Sequence, residues 1–371
     1  MHRTKYADSF LWLIAVLLMT TAALAQEGRL RPGPWAKERI PEGWIVHNTK
    51  NYHVQSQCGL EKAKRLGEHM EAMNKTYRSL FKPDKGGEKP QTIKLFKDNK
   101  SFLLYGAPPS AAAYYSPGER EMVCYDTGKW MDDAPAPEAV AAPTTGPAPE
   151  QGSPEEAAAK RAKLKEELER RMRKQEDLWK MDLLGCAAHE GWHQYFHWYV
   201  TSMVELPSWV NEGMGDYFYT AVPKGKQGTK RVPAALGGIF GGRLMIAKAA
   251  LRQGRFVPAS ELITYTKDQY YSNPSICYAE GWCLCQFMLH SGNPKYMKLV
   301  PTFIKLVRDD TNMPVVTEKT FKGIDLAKLD AEFTAWVEAQ KLPDEEAAID
   351  DDLLGPEGGE VGGGEGDDGG N

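Results

Sequence analysis

The sequence predicts an α+β protein, with a strand-containing N-terminal lobe, a mainly helical C-terminal lobe and a cleft between them. Three observations carry this. Short runs rich in β-branched and aromatic residues, bounded by turn residues, are confined to the chain before residue 130. From residue 180 to about 340 the apolar residues recur at helical spacings, punctuated by Pro207, Pro258, Pro274, Pro301 and Pro314. Between these stretches, residues 133–154 are dominated by Ala, Pro, Glu and Gly, the composition of a solvated linker.

Taken in order, residues 1–25 read as a secretory signal peptide. Arg3 and Lys5 precede the apolar run FLWLIAVLLM, which leads to Ala23-Leu24-Ala25, a small-x-small cleavage signal. The run is short for a span of roughly 20 residues, so no stable membrane span is expected after cleavage; an uncleaved anchor is the alternative. Residues 26–129 form the N-terminal lobe. YHVQS (52–56) and TIKLF (92–96) are strands flanking a helix over 60–81, whose Leu66, Met70, Met73, Tyr77 and Leu80 recur every three or four positions. A short helix over 101–105 precedes two strands in 111–127, joined at Ser116-Pro117-Gly118.

Residues 130–180 combine the linker with a charged helix. Ser153-Pro154-Glu155-Glu156 is a helix-start signature, and Glu156/Lys160, Glu166/Arg170, Glu167/Arg171 and Glu169/Arg173 are spaced to pair along one helix. With no sustained heptads, this segment reads as a solvated extension rather than a coiled coil. Residues 181–342 form the helical lobe. Residues 343–371 hold eleven of the chain's 50 acidic groups and none of its 46 basic ones, and read as a disordered acidic tail. Residues 1–343 thus carry a net charge of +7, spread too thinly for a nucleic-acid surface, so no nucleic-acid partner is expected. Six cysteines without a CxxC pair exclude a cysteine zinc ribbon; Cys283 and Cys285, two apart on a helix, read as small buried residues.

The chemistry concentrates in LLGCAAHEGWHQYFHWYV, residues 183–200, which places three of the chain's eight histidines within nine positions. His189-Glu190-Gly191-Trp192-His193 is an HExxH sequence. Helical residues four apart lie about 40° apart around the axis, so both imidazoles can reach one Zn²⁺ while Glu190 projects toward a water. A third ligand is needed. His197 lies two turns along the helix and is better read as a packed or hydrogen-bonded histidine. A Cys186 thiolate would crowd the open position that catalysis requires. The extended HExxHxxGxxH pattern is excluded by Phe196 and Tyr199. Glu212 fits best: Ser208 can cap a new helix after Pro207, and eighteen residues separate Glu212 from His193, enough for that helix to return alongside the first. Asp216, one turn after Glu212, is placed to hold a ligand histidine by its other ring nitrogen.

HEGWH followed at this distance by WVNEG closely resembles the gluzincin peptidases of the MA clan, which include thermolysin and the aminopeptidase N-like enzymes. The match covers roughly residues 180–290. The layout of the whole body is similar, more loosely, to exported bacterial proteins with a peptidase-MA-like domain. The resemblance implies a gluzincin-like fold with the zinc site in the cleft. It also implies an oxyanion-stabilising role for Tyr278, since CYAEGWCLCQFML resembles the YxKGxxxLxxL segment of the aminopeptidase N-like enzymes. The GAMEN-type motif that binds a free substrate amine has no counterpart upstream of His189, which speaks against an aminopeptidase. EMVCYDT (121–127) is instead a candidate edge strand for pairing with an extended peptide.

These readings converge on an expected secreted or periplasmic zinc metallopeptidase acting on a peptide or protein substrate. Its expected metal ligands are His189, His193 and Glu212, with Glu190 as general base. A zinc-bearing scaffold module of the cell envelope, or a hydrolase of a non-peptide amide, would use the same residues.

Overall fold

A computed structural model describes residues 40–83, 89–130, 181–200, 204–223 and 234–342. The signal peptide, the linker and charged helix of 131–180, and the acidic tail lie outside the described residues. The N-terminal part contains β1 (Ile45–Asn48), β2 (Tyr52–Ser56), α1 (Gly59–Leu80), β3 (Gln91–Phe96), α2 (Asn99–Tyr105), β4 (Ala113–Ser116) and β5 (Glu121–Tyr125). The C-terminal part contains α3 (Leu183–Tyr195), a π-helical turn (Phe196–Val200), α4 (Ser208–Tyr219), α5 (Gly241–Arg252), α6 (Ala259–Leu262), α7 (Lys267–Ser272) and α8 (Pro274–His290). It ends with α9 (Leu299–Leu306), α10 (Met313–Phe321) and α11 (Leu326–Ala339), and a two-residue ribbon pairs Val222–Pro223 with Ala234–Ala235. The architecture is mixed α+β: a five-stranded sheet followed by a mainly helical part.

The sheet runs β1-β2-β3-β5-β4, with the central pairs parallel and both outer pairs antiparallel. Period-two alternation sorts its side chains. Tyr52, Val54, Ile93, Leu95, Met122 and Cys124 face α1 and α3, while Phe96 and Val123 pack with Trp44, Phe102 and Tyr105 on the other face. Lys94 and Glu121 also point there, where they pair with each other and with Tyr105 in full burial.

Two expectations are corrected. EMVCYDT is not an edge strand, because β5 is hydrogen-bonded to β3 on one side and β4 on the other. Its continuous Met122-Val123-Cys124 run is the mark of a strand covered on both faces; among the described residues the outer strands are β1 and, beside β5, β4. Ser208 does not cap α4 either: it is the first helical residue, Pro207 occupies the cap, and no side chain caps that end.

Two helices belong to both cores, which places the site. Ala63, Leu66 and Met70 of α1 pack with the sheet, whereas Met73 and Tyr77 join the helical core. In α3 the change comes between Ala187, packed with the sheet, and Ala188, packed with the helices. His189 and Glu190 therefore sit where one helix passes from one core to the other. Asp182 starts α3 by accepting from the Gly185 N–H at 2.9 Å. The Tyr77 hydroxyl ties the helix to α1 by donating to the Ala188 carbonyl at 2.6 Å. Beneath α4 runs α8, apolar on nearly all sides and buried over most of its length, the pattern of a central helix.

Candidate metal centre

Helical spacing brings the His189 and His193 rings to 4.9 Å between centroids. One ligand atom from each of His189, Glu190 and His193 can be chosen so that all lie within 4.8 Å of one another, a group able to hold a metal ion. Glu212, twenty-three residues after His189, reaches the same point from α4. Its Oε2 lies 3.2 Å from His189 Nε2 and 3.7 Å from His193 Nε2. Donor atoms about 2.1 Å from a tetrahedral ion are separated by roughly 3.4 Å, so these spacings fit one ion.

The second nitrogen of each ring is engaged. His189 Nδ1 lies 2.9 Å from Asp216 Oδ1, and His193 Nδ1 lies 3.0 Å from Asn211 Oδ1. Both partners are acceptors, so a neutral ring with its Nε2 on a metal would carry its proton at Nδ1. Asn211 also donates from Nδ2 to Glu212 Oε1 at 3.2 Å, so one amide links a histidine and a carboxylate. Asp216 in turn meets Arg243 of α5, whose Nε lies 2.6 Å from Oδ2. That contact is close but oblique, without hydrogen-bond alignment at either atom, and acts as an ion pair.

The electrostatics follow. Burial disfavours the His189 imidazolium, but its hydrogen bonds to Asp216 and Glu212 outweigh burial and hold it up at about 10. Burial likewise opposes charge on His193, and Glu212 raises it nonetheless. In Glu212 the cost of burial is overcome by His193 first and then His189, so its carboxyl stays well below the usual range. Glu190 is pushed upward by burial, while the histidines, and after them the Tyr115 backbone N–H on β4, pull the other way.

His197 Nδ1 lies 3.0 Å from the Tyr115 hydroxyl of β4. Cys186 is buried with the sheet core. All six cysteines are free thiols, with Cys283 and Cys285 wholly buried. Tyr278 comes close to the centre without a hydrogen bond to the ligand set: its ring lies 6.1 Å from that of Tyr271 and 4.9 Å from the Arg243 guanidinium. Tyr271 is the phenol on the site, donating to Glu212 Oε1 at 3.0 Å.

Asn211, Arg243, Tyr271 and the Tyr115 N–H were not anticipated. Asn211 precedes Glu212 directly and could have been suspected. Tyr271 lies 59 residues from Glu212 on another helix, with no local signal. The glycines of Asn-Glu-Gly-Met-Gly-Asp did carry one, because a helix interior tolerates glycine at a cost of about 1 kcal/mol only for a reason. A Cβ at Gly215 would come within 2.6 Å of the His189 ring, and one at Gly213 within 2.4 Å of the Gly281 carbonyl oxygen. The first glycine seats the histidine; the second lets α4 lie against α8.

No protein-family model and no curated protein matches this chain. Among the described residues, no helix is long and apolar enough to cross a membrane.

Proposed function

We propose that this protein is an exported zinc metallopeptidase of gluzincin type that cuts within peptide chains. The observation that carries the reading is the convergence of His189 Nε2, His193 Nε2 and Glu212 Oε2, with Glu190 beside them and each imidazole held at Nδ1 by an acceptor. This is a two-nitrogen, one-oxygen donor set of the kind that catalytic zinc takes, and its remaining position can admit water or substrate. When bound, zinc polarises a scissile carbonyl and acidifies a water.

The chain's own residues do the rest. Glu190, tuned upward by burial, accepts a proton from the attacking water and returns it to the leaving amine. Tyr278, packed beside Tyr271 and Arg243, supplies the hydroxyl donor for the negative charge that grows on the carbonyl oxygen. The outer edge of β4, next to Glu190, is suited to pair with an extended peptide, which favours cutting inside chains over trimming N-termini.

The test is zinc content together with cleavage of a quenched-fluorescent peptide library, using mature protein and its Glu190→Gln variant side by side. One zinc in both proteins, with cleavage only by the wild type, is expected. Cleavage by metal-loaded Glu190→Gln overturns the mechanism. Zinc in both with cleavage in neither turns the reading toward a scaffold or a non-peptide substrate.

A further inference from the structure

The two oxygens of Glu212 have different surroundings. Oε2 faces both imidazoles. Oε1 points away and receives two donors, the Tyr271 hydroxyl at 3.0 Å and Asn211 Nδ2 at 3.2 Å. Two donors use both lone pairs of a carboxylate oxygen. The Tyr271 ring is packed on both sides, edge-on to Tyr270 at 5.6 Å and to Tyr278 at 6.1 Å between centroids. Its helix is anchored too. Thr266 and Gln269 close a capping box at the start of α7, and neighbouring Tyr270 is fully buried against α8, where a Cβ at Gly281 would meet its hydroxyl at 2.6 Å. Tyr271 as a residue is 39 % exposed, while its hydroxyl is turned in to Glu212.

A carboxylate can bind a metal through one oxygen or through both, and the second mode takes up a coordination position. In a catalytic centre that position must stay open to water and substrate. We propose that Tyr271 is a positioning residue that keeps Glu212 a one-oxygen ligand by occupying Oε1, and so keeps the fourth position of the centre open. The inference rests on the reading of His189, His193 and Glu212 as a metal centre. It separates the two tyrosines: the hydroxyl on Glu212 is that of Tyr271, and only Tyr271 governs how Glu212 binds.

The test uses the full mature chain loaded with cobalt(II), whose visible absorption weakens as coordination number rises, and acetohydroxamate as a probe of open positions. Wild type is expected to bind one cobalt and to shift its spectrum on adding hydroxamate. Tyr271→Phe, which removes only a hydroxyl, is expected to keep one cobalt, absorb more weakly and bind hydroxamate at least about tenfold less tightly. Tyr278→Phe is expected to keep the wild-type cobalt spectrum while turning over peptide more slowly. A Tyr271→Phe protein with wild-type spectrum and hydroxamate affinity overturns the inference alone. So does one that loses its cobalt, since Tyr271 would then retain the ligand rather than hold the position open. A wild-type protein that binds no cobalt, or binds it equally after His189→Ala, overturns the metal-centre reading itself.

Discussion

Asp216 stands between a ligand histidine and a buried arginine, and replacing it by Asn should expose both dependences at once. Its side chain is 2 % exposed, with Oδ1 2.9 Å from His189 Nδ1 and Oδ2 2.6 Å from Arg243 Nε. Opposite charges about 3 Å apart attract by roughly 5 kcal/mol at an effective dielectric near 20, before desolvation is subtracted. Removing one partner of such a pair costs about 3–5 kcal/mol, because the other is left charged and unpaired. The Arg243 side chain is 21 % exposed and can recover some hydration, so about 2–4 kcal/mol is the figure to expect for Asp216→Asn in the metal-free protein. Arg243→Met should cost a similar amount. The double variant has no orphaned charge and should be more stable than the sum of the single losses implies, by about 2 kcal/mol or more. In parallel, losing the carboxylate on His189 should weaken metal binding by about 10–100-fold. Urea unfolding of chelator-treated proteins, with chelator competition for zinc, measures both. Additive single losses, or an Asp216→Asn protein with unchanged metal affinity, would refute the view that this chain of contacts holds His189 in place.

Three further outcomes are expected. Glu280 is fully buried on α8, accepts from the Val257 N–H, and is pushed by burial up to about 8. Since its folded value lies above the ordinary 4.5, its contribution is intact below pH 4.5 and lost as pH rises toward 8. Glu280→Gln should gain on wild type by up to about 1.4 kcal/mol per pH unit across that window, and parallel urea midpoints from pH 5 to 8 would contradict the assignment. Gly215→Ala should weaken zinc binding at least tenfold by displacing His189. Gly242→Ala, where an added Cβ meets nothing within 4 Å, should leave affinity unchanged; equal affinities for both variants would count against the seating role. Glu121→Gln should strip fully buried Lys94 of its counter-charge and cost about 3 kcal/mol or more without changing the zinc affinity of the folded protein. Calorimetry and chelator titration together check that separation.

The helix carrying HExxH and the strands β2, β3, β4 and β5 of the N-terminal part were legible because they rest on local periodicity, whereas β1 was not anticipated. Leu66, Met70, Met73, Tyr77 and Leu80 recur on one face of α1; the first four are buried, and Leu80, the last residue of the helix, is exposed. The spacing from His193 to Glu212 was likewise enough to expect a returning helix, and Glu212 does meet both histidines. The error over EMVCYDT came from placing a strand by its position in the chain. Its order in the sheet depends on which strands lie beside it, and nothing within the segment states that.

What the sequence determined by itself was the set of groups whose chemistry is local: two imidazoles one turn apart, a carboxylate between them, and a second helix that brings Glu212 and Asp216 as neighbours on one face. What the tertiary structure decided was how those groups are held. Tyr271 on Glu212, Arg243 on Asp216 and the Tyr115 N–H at Glu190 come from α7, α5 and β4, and reach the centre only when two cores pack around the shared helices α1 and α3. Ligand spacing is set by helix geometry and can be counted along the chain. The contacts that orient the ligands join residues far apart in sequence, and only the packing of their helices and strands brings them together.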